Sequence, residues 1–206
     1  MKFKTEQEDF WAGEFGDNYI DRNMSNNFLS SNINFFSKVL DKTHGIESCI
    51  EFGANIGINL KALKILKPDL KLKGVEINKK ASKILSNLIG PNNVYETSIL
   101  NFESKELFDL CVIKTVLIHI NPNELKNVYK KLYDSSKRYI LIAEYFNPYP
   151  IKVEYRGNNE KLFKRDFAGE MLELYKDLHL KNYGFLYSND NNFPQDNINW
   201  FLLEKE

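Results

Sequence analysis

In the stretch SCIEFGANIGIN, residues 48–59, Glu51 stands two positions before Gly53, and Gly57 follows four positions after that. Glycines at a strand-to-helix turn let backbone approach a ligand where a Cβ would collide. The helix that opens after them offers unpaired N–H groups and the positive end of its dipole. A second strand, LKLKGVE (70–76), ends on Glu76, and a carboxylate at that place in nucleoside-binding α/β folds accepts hydrogen bonds from ribose hydroxyls. Taken singly, the glycines read equally as an ordinary tight turn and the acid as a solvated strand end. The combination points to a bound nucleoside.

The glycine pattern also says which nucleoside. A dinucleotide fingerprint puts a glycine where Asn55 stands. The spacing here, with Glu51 ahead of it, suits a ligand without phosphates: S-adenosylmethionine, its amino-acid end by Gly53, Asn55 and Gly57 and its ribose by Glu76. Ser98-Ile99, after the third predicted strand, are placed to hydrogen-bond and cover an adenine, or else simply to pack. The fourth strand runs into DLCVIKTVLIHINP, so Lys114 and the turn up to His119 lie at the mouth of the crevice. A histidine of near-neutral pKa there takes a proton from an acceptor hydroxyl as the methyl is transferred, or is satisfied locally by backbone. Glu144, ending the fifth strand, is the rival base. Beyond it Tyr145, Arg156, Lys164 and Arg165, with interleaved aromatic residues, suit an acceptor bearing a phosphate or carboxylate. A solvated mixed-charge loop is the competing reading. No metal site is expected.

These residues need a scaffold that alternates strand and helix. Strands are predicted at 48–52, 70–76, 92–96, 109–114 and 138–144, and helices at 30–41, 57–66, 78–89 and 122–134. The run LCVI is continuously apolar, as a parallel strand covered on both faces requires, and Pro122 fits a first helical turn. Such alternation implies an open, mostly parallel sheet with right-handed crossovers. Residues 1–44 form a polar and aromatic N-terminal segment in which Gly13 and Gly16 break any long helix. Residues 147–168 read as an irregular excursion on the substrate side. A helix near 168–176 and two β-like runs, 180–187 and 198–204, complete a single domain spanning 1–206, the last two as an antiparallel pair.

The 206 residues carry 28 basic and 28 acidic side chains, so no global field favours nucleic acid or an anionic membrane. No run reaches the ~18 apolar residues of a membrane span. Cys49 and Cys111 fall in predicted core strands without a CxxC pair, consistent with free thiols in a reducing compartment. The expectation is a soluble, cytoplasmic protein, monomer or homodimer.

The order EFGANIGIN, VEIN, SIL, KTVLIHINP resembles class I S-adenosylmethionine-dependent methyltransferases over about residues 45–145. The flanks FWAGEFGDNYIDRN, AEYFNPYPIKVEYRGNNEKLFKRDFAGE and YGFLY…DNNFPQDNINWFLLEK resemble one subfamily, the methylases associated with pseudaminic acid biosynthesis. What this resemblance implies is a Rossmann-like, seven-stranded sheet with a reversed last strand, S-adenosylmethionine as cofactor, and an anionic sugar or nucleotide-sugar as acceptor. It further implies an N-terminal lid, with Tyr19 and Arg22 reaching the donor's carboxylate and Trp11 and Phe15 excluding water, unless the segment merely caps the sheet. Three other readings stand beside it. A nucleic-acid methyltransferase would carry an N-P-P-Y signature after the fourth strand, where this chain has Asn121-Pro122-Asn123-Glu124. An NAD-dependent oxidoreductase would lack Asn55 in the glycine turn. A non-catalytic S-adenosylmethionine-binding protein needs neither candidate base.

Overall fold

The apolar run in the fourth predicted strand becomes the buried centre of the molecule. In the computed structural model, which describes residues 3–20 and 26–206, β4 (Phe108–Lys114) lies between β1 (Ser48–Phe52) and β5 (Ser136–Glu144). The sheet continues outward from β1 through β2 (Lys71–Glu76) to β3 (Val94–Glu96), and from β5 through β9 (Ile198–Lys205) to β8 (Leu178–Leu186). Its order is β3-β2-β1-β4-β5-β9-β8, with β1 to β5 mutually parallel and β9 antiparallel to both of its neighbours. The expected doubly covered α/β sheet with a reversed C-terminal strand is therefore present.

Side-chain alternation along the strands sorts the core into two layers. Cys49, Leu110, Val112, Leu141 and Leu202 face Phe35, Phe36 and Val39 of α3 (Asn26–Leu40), Leu60 and Leu63 of α4 (Ile58–Leu66), and Leu85 of α5 (Lys79–Ile89). Ile50, Phe52, Cys111, Ile113, Ile140 and Ile142 face Val128, Tyr129 and Leu132 of α6 (Leu125–Ser135) and Met171 of α7 (Phe167–Leu174). The two cysteines thus sit on opposite faces, both buried and free. Among the described residues no helix is long and apolar enough to cross a membrane.

Two regions depart from expectation. The excursion is not irregular: β6 (Ile151–Tyr155) and β7 (Asn158–Lys164) form an antiparallel hairpin. It turns at Arg156 and Gly157, both at positive φ (53° and 77°), as a two-residue hairpin turn demands. Adjacent Leu162 and Phe163 are both buried, so the strand lacks the in-out alternation that would have marked it in the sequence. At the N-terminus Gly13 does separate α1 (Glu6–Ala12) from α2 (Glu14–Tyr19), but Gly16 lies inside α2. There it serves close approach, because a Cβ would stand 1.9 Å from the Trp11 carbonyl oxygen.

Candidate functional site

The crevice opens where the parallel strands end. β1 stops at Phe52, and Gly53 turns the chain with φ +73° while the Gly53 and Ala54 N–H groups both donate to the Val75 carbonyl, at 2.9 and 3.0 Å. This lays the loop across the end of β2. Asn55, itself left-handed at φ +50°, then donates its N–H to Glu76 Oε2 at 2.6 Å. Glu76 Oε1 accepts the Asn78 N–H at 2.7 Å. Burial raises the Glu76 pKa, and the backbone N–H groups oppose that rise. Gly53, Asn55 and Glu76 all line the crevice, as do Ser98 and Ile99 further along the same wall. Ser98 Oγ accepts the Leu100 N–H at 3.1 Å.

Gly57 does not line this crevice. Its φ of +83° makes the turn into α4, and a Cβ there would meet Leu85 Cδ1 at 2.6 Å, so the residue serves packing against α5. At Gly53 the atom a Cβ would strike is Val116 Cγ2, also at 2.6 Å. Both glycines are needed, but only the first stands at the cavity wall.

The deep end is built from charge. Lys114, ending β4, is buried and lines the crevice, and Thr115 beside it is forced to φ +55°. Burial lowers the lysine pKa, while Glu51, Asp196 and Glu144 act against that without a direct ion pair among the described residues. Glu51 lies behind the lining. Its Oε1 accepts Asn59 Nδ2 at 2.6 Å, and burial lifts its pKa to about 8, against the pull of Asn59 and Lys114. Among the described residues Glu51 Oε2 and Asn59 Oδ1 are buried without a hydrogen-bond partner. A buried polar atom without a partner costs about 1–3 kcal/mol, so this wall is incomplete as it stands.

His119 closes the crevice on the other side. It ends a tight turn, Leu117–His119, held by Glu144 Oε1, which accepts the Val116 and Leu117 N–H groups at 2.9 Å each. His119 Nδ1 lies 2.6 Å from the Lys161 carbonyl on β7. A carbonyl only accepts, so Nδ1 carries the proton and Nε2 keeps its lone pair. The ring sits between Trp11 and Tyr155, at centroid distances of 4.7 and 4.9 Å. Burial drives its pKa down to about 4, so the imidazole is neutral at pH 7. Glu144, with a pKa raised by burial to about 7, does not reach the lining; one oxygen is committed to the turn and the other has no partner among the described residues.

The N-terminal helices cover this arrangement. Trp11 and Tyr19 line the crevice in an aromatic group with Phe10 and Phe15. On one flank Asn78 Nδ2 donates to the Trp11 carbonyl (3.3 Å) and to Asp17 Oδ1 (2.9 Å), and Lys80 pairs with Asp17 at 2.6 Å. On the other, Gln7 Nε2 donates to the Glu160 carbonyl at 2.9 Å and Lys161 pairs with Glu6 at 3.2 Å. Arg22 lies outside the described residues.

The candidate acceptor residues are not gathered at the crevice. Arg165 pairs with Glu170, Lys164 lies over the Tyr145 ring at 5.1 Å, and Arg156 sits at the exposed hairpin tip over Tyr155. Tyr145 is partly buried beside Asp196, and burial raises its phenol pKa. The crevice is completed instead by residues that the sequence did not single out: Asn59, Asn78, Asp196, Gln7 and Asn121. Asn59 carries a readable signal, a polar side chain on the buried face of an otherwise apolar helical turn. Asp196, inside the turn-rich SNDNNFPQDN, carries none.

No protein-family model and no curated protein matches this sequence. Solved structures do match over nearly its whole length. The plantazolicin methyltransferase BpumL in complex with SAH is 16% identical with a TM-score of 0.66, covering 97% of this chain and 94% of that one. The magnesium protoporphyrin IX methyltransferase from Synechocystis PCC 6803, with bound SAM, is 10% identical with a TM-score of 0.66 and full coverage of both chains (100%). A SAM-dependent methyltransferase from Leishmania major is 16% identical with a TM-score of 0.67, covering 96% of this chain and 81% of that one. At these identities the likeness is one of fold: the chain has the Rossmann-like class I methyltransferase architecture.

Proposed function

We propose that this protein is an S-adenosylmethionine-dependent methyltransferase acting on a small, sugar-derived acceptor. The observation that carries the reading is the join of Gly53, Asn55 and Glu76 around one hollow, with an incomplete polar wall at its other end. The residues fit the donor's chemistry. Each Glu76 oxygen accepts one backbone N–H and keeps a second lone pair for a ribose hydroxyl. Ser98 and Ile99 border the adenine. Lys114 is the cation for the amino-acid carboxylate, with Tyr19 and Arg22 as its further partners, and Asn59 Oδ1, oriented by Glu51 behind it, is the acceptor for the ammonium. When bound, S-adenosylmethionine supplies an electrophilic methyl group.

His119 Nε2 is the proton acceptor for the nucleophile, oriented because Nδ1 is fixed on the Lys161 carbonyl. Glu144 is a positioning residue, holding the turn that presents His119. Trp11 and Phe15 shield the reacting atoms from water. The acceptor class rests on the resemblance to the pseudaminic acid methylases. Polar Gln7 and Asn121 beside the Trp11 face suit the hydroxyls and C–H faces of a sugar, and the acceptor's negative charge has only the hairpin residues Arg156, Lys164 and Arg165 behind it. Calorimetry with S-adenosylhomocysteine and with NAD tests the donor: binding of the first alone supports the reading, and binding of NAD alone ends it. A net gain of CH₂, one methyl replacing one proton, in CMP-sugar pools incubated with protein and donor tests the acceptor.

A further inference from the structure

The covering helix α1 carries a carboxyl group that helix capping engages on one side only. Glu8 stands three residues after the cap residue Thr5, whose Oγ accepts the Glu8 N–H at 3.2 Å. In return Glu8 Oε2 accepts the Lys4 and Thr5 N–H groups at 2.9 Å each and the Thr5 hydroxyl at 3.2 Å. A capping box of this kind needs one carboxyl oxygen and ordinarily leaves the acid in water. Here Glu8 is 6% exposed, and its Oε1 is buried without a hydrogen-bond partner among the described residues. Glutamate is almost never buried so far unless something pairs with it. Glu8 lines the crevice, as does Trp11 one turn further along the same face of the helix.

The other charges of the crevice have partners. Among the described lining residues Lys114 is the one lysine or arginine, and the donor's carboxylate is matched to it. Glu76 is matched to the ribose, and Asp196 has the Tyr145 hydroxyl and Lys114 beside it. Glu8 has neutral donors alone, all of them on Oε2. A partner for Oε1 therefore comes from what fills the crevice, and a positively charged hydrogen-bond donor suits it best. Trp11 favours the same occupant, because an indole attracts a cation more strongly than any other aromatic side chain. Its ring lies 4.7 Å from that of His119, centroid to centroid, so this place adjoins the proposed proton acceptor. We propose that Glu8 selects the acceptor: its Oε1 receives a protonated amino group, seated beside the Trp11 indole. This rests on the methyl-transfer reading and adds to it that the acceptor bears an amine, whichever of its atoms takes the methyl. A hydrogen bond from an ammonium to a carboxylate is about twice as strong as a neutral one, so an amine is preferred to a hydroxyl in the same position.

Calorimetry on the full chain saturated with S-adenosylhomocysteine tests it, with glucosamine against glucose and ethanolamine against ethylene glycol as probes. Wild type should bind each amine about tenfold more tightly than its hydroxyl counterpart. Glu8→Gln keeps an oxygen for the Lys4 and Thr5 N–H groups and removes the charge. It should lose that preference, with circular dichroism unchanged and S-adenosylhomocysteine affinity within about twofold of wild type. Glu6→Gln removes a charge from the same helix turn, on a side chain that is 85% exposed, and should keep the preference. Equal binding of amine and hydroxyl by wild type, a preference that survives in Glu8→Gln, or an equal loss in Glu6→Gln overturns the proposal. So does a Glu8→Gln chain whose S-adenosylhomocysteine affinity falls as far as its amine affinity, which would give Glu8 to the donor. Intact S-adenosylhomocysteine binding without amine binding ends this proposal alone. A wild-type chain that binds no S-adenosylhomocysteine ends the methyl-donor reading with it.

Discussion

Replacing Glu51 with Gln should change the way stability depends on pH. The carboxyl is fully buried and its pKa stands at about 8 in the folded state, well above the 4.5 of a free glutamate side chain. Burial is the main cause, opposed by Asn59 and Lys114 and reinforced by Glu76. Between those two values the folded chain holds one proton more than the unfolded chain, so stability falls as pH rises across the window. At about 1.4 kcal/mol per pKa unit, the loss from pH 4.5 to 8 is on the order of 4 kcal/mol. Gln does not titrate and keeps the Oε1 acceptor for Asn59, while its NH₂ group takes the place of the unpartnered Oε2. That change adds an offset of about 1–3 kcal/mol that does not vary with pH. Glu144, with a pKa of about 7, titrates in both proteins and cancels in the comparison. Urea unfolding at pH 5 and pH 8.5 is the assay. The variant should gain a few kcal/mol on wild type between the two conditions, and parallel profiles would refute the assignment of a buried, protonated Glu51.

Four further outcomes follow from the crevice. Glu76→Ala should abolish S-adenosylhomocysteine binding in calorimetry and lower the melting point as well, since it strands the Asn55 and Asn78 N–H groups; retained affinity would remove Glu76 from the ribose site. His119→Asn should leave that binding intact while slowing methyl transfer by about 10²–10⁴-fold. Because His119 is neutral above about pH 4, the wild-type rate should show no histidine limb between pH 5 and 8, and a limb near 6.5 would contradict the buried tautomer. Gly57→Ala should cost about 1–3 kcal/mol of stability through collision with Leu85, yet leave nucleoside affinity in the surviving folded protein within a factor of two or three. An affinity loss as large as that of Glu76→Ala would return Gly57 to the ligand.

The sheet was legible because its strands obey local rules. LCVI is apolar without interruption and sits at the sheet centre, and Pro122 opens the turn that leads into α6. The place of Glu76 at a strand end was legible for a similar reason, a lone acid closing the run LKLKGVE. The hairpin was not, because its buried neighbours Leu162 and Phe163 break alternation, and only the pairing of β6 with β7 makes Arg156-Gly157 a turn. The packing contact of Gly57 was not legible: Leu85 lies in the next helix, and no spacing within the motif names it. The basic residues of 151–167 drew attention by charge, yet Lys161 and Arg165 are paired to Glu6 and Glu170, one of them 155 positions away.

Asn78 links two events that its sequence neighbourhood keeps apart. Its backbone N–H is bound to Glu76, while its side chain holds the Trp11 carbonyl and Asp17. Removing the Asn78 side chain would therefore free the Trp11 carbonyl and Asp17 together, while the backbone contact that orients Glu76 stayed in place. The covering helices and the acid at the end of β2 are thus anchored through two different parts of one residue.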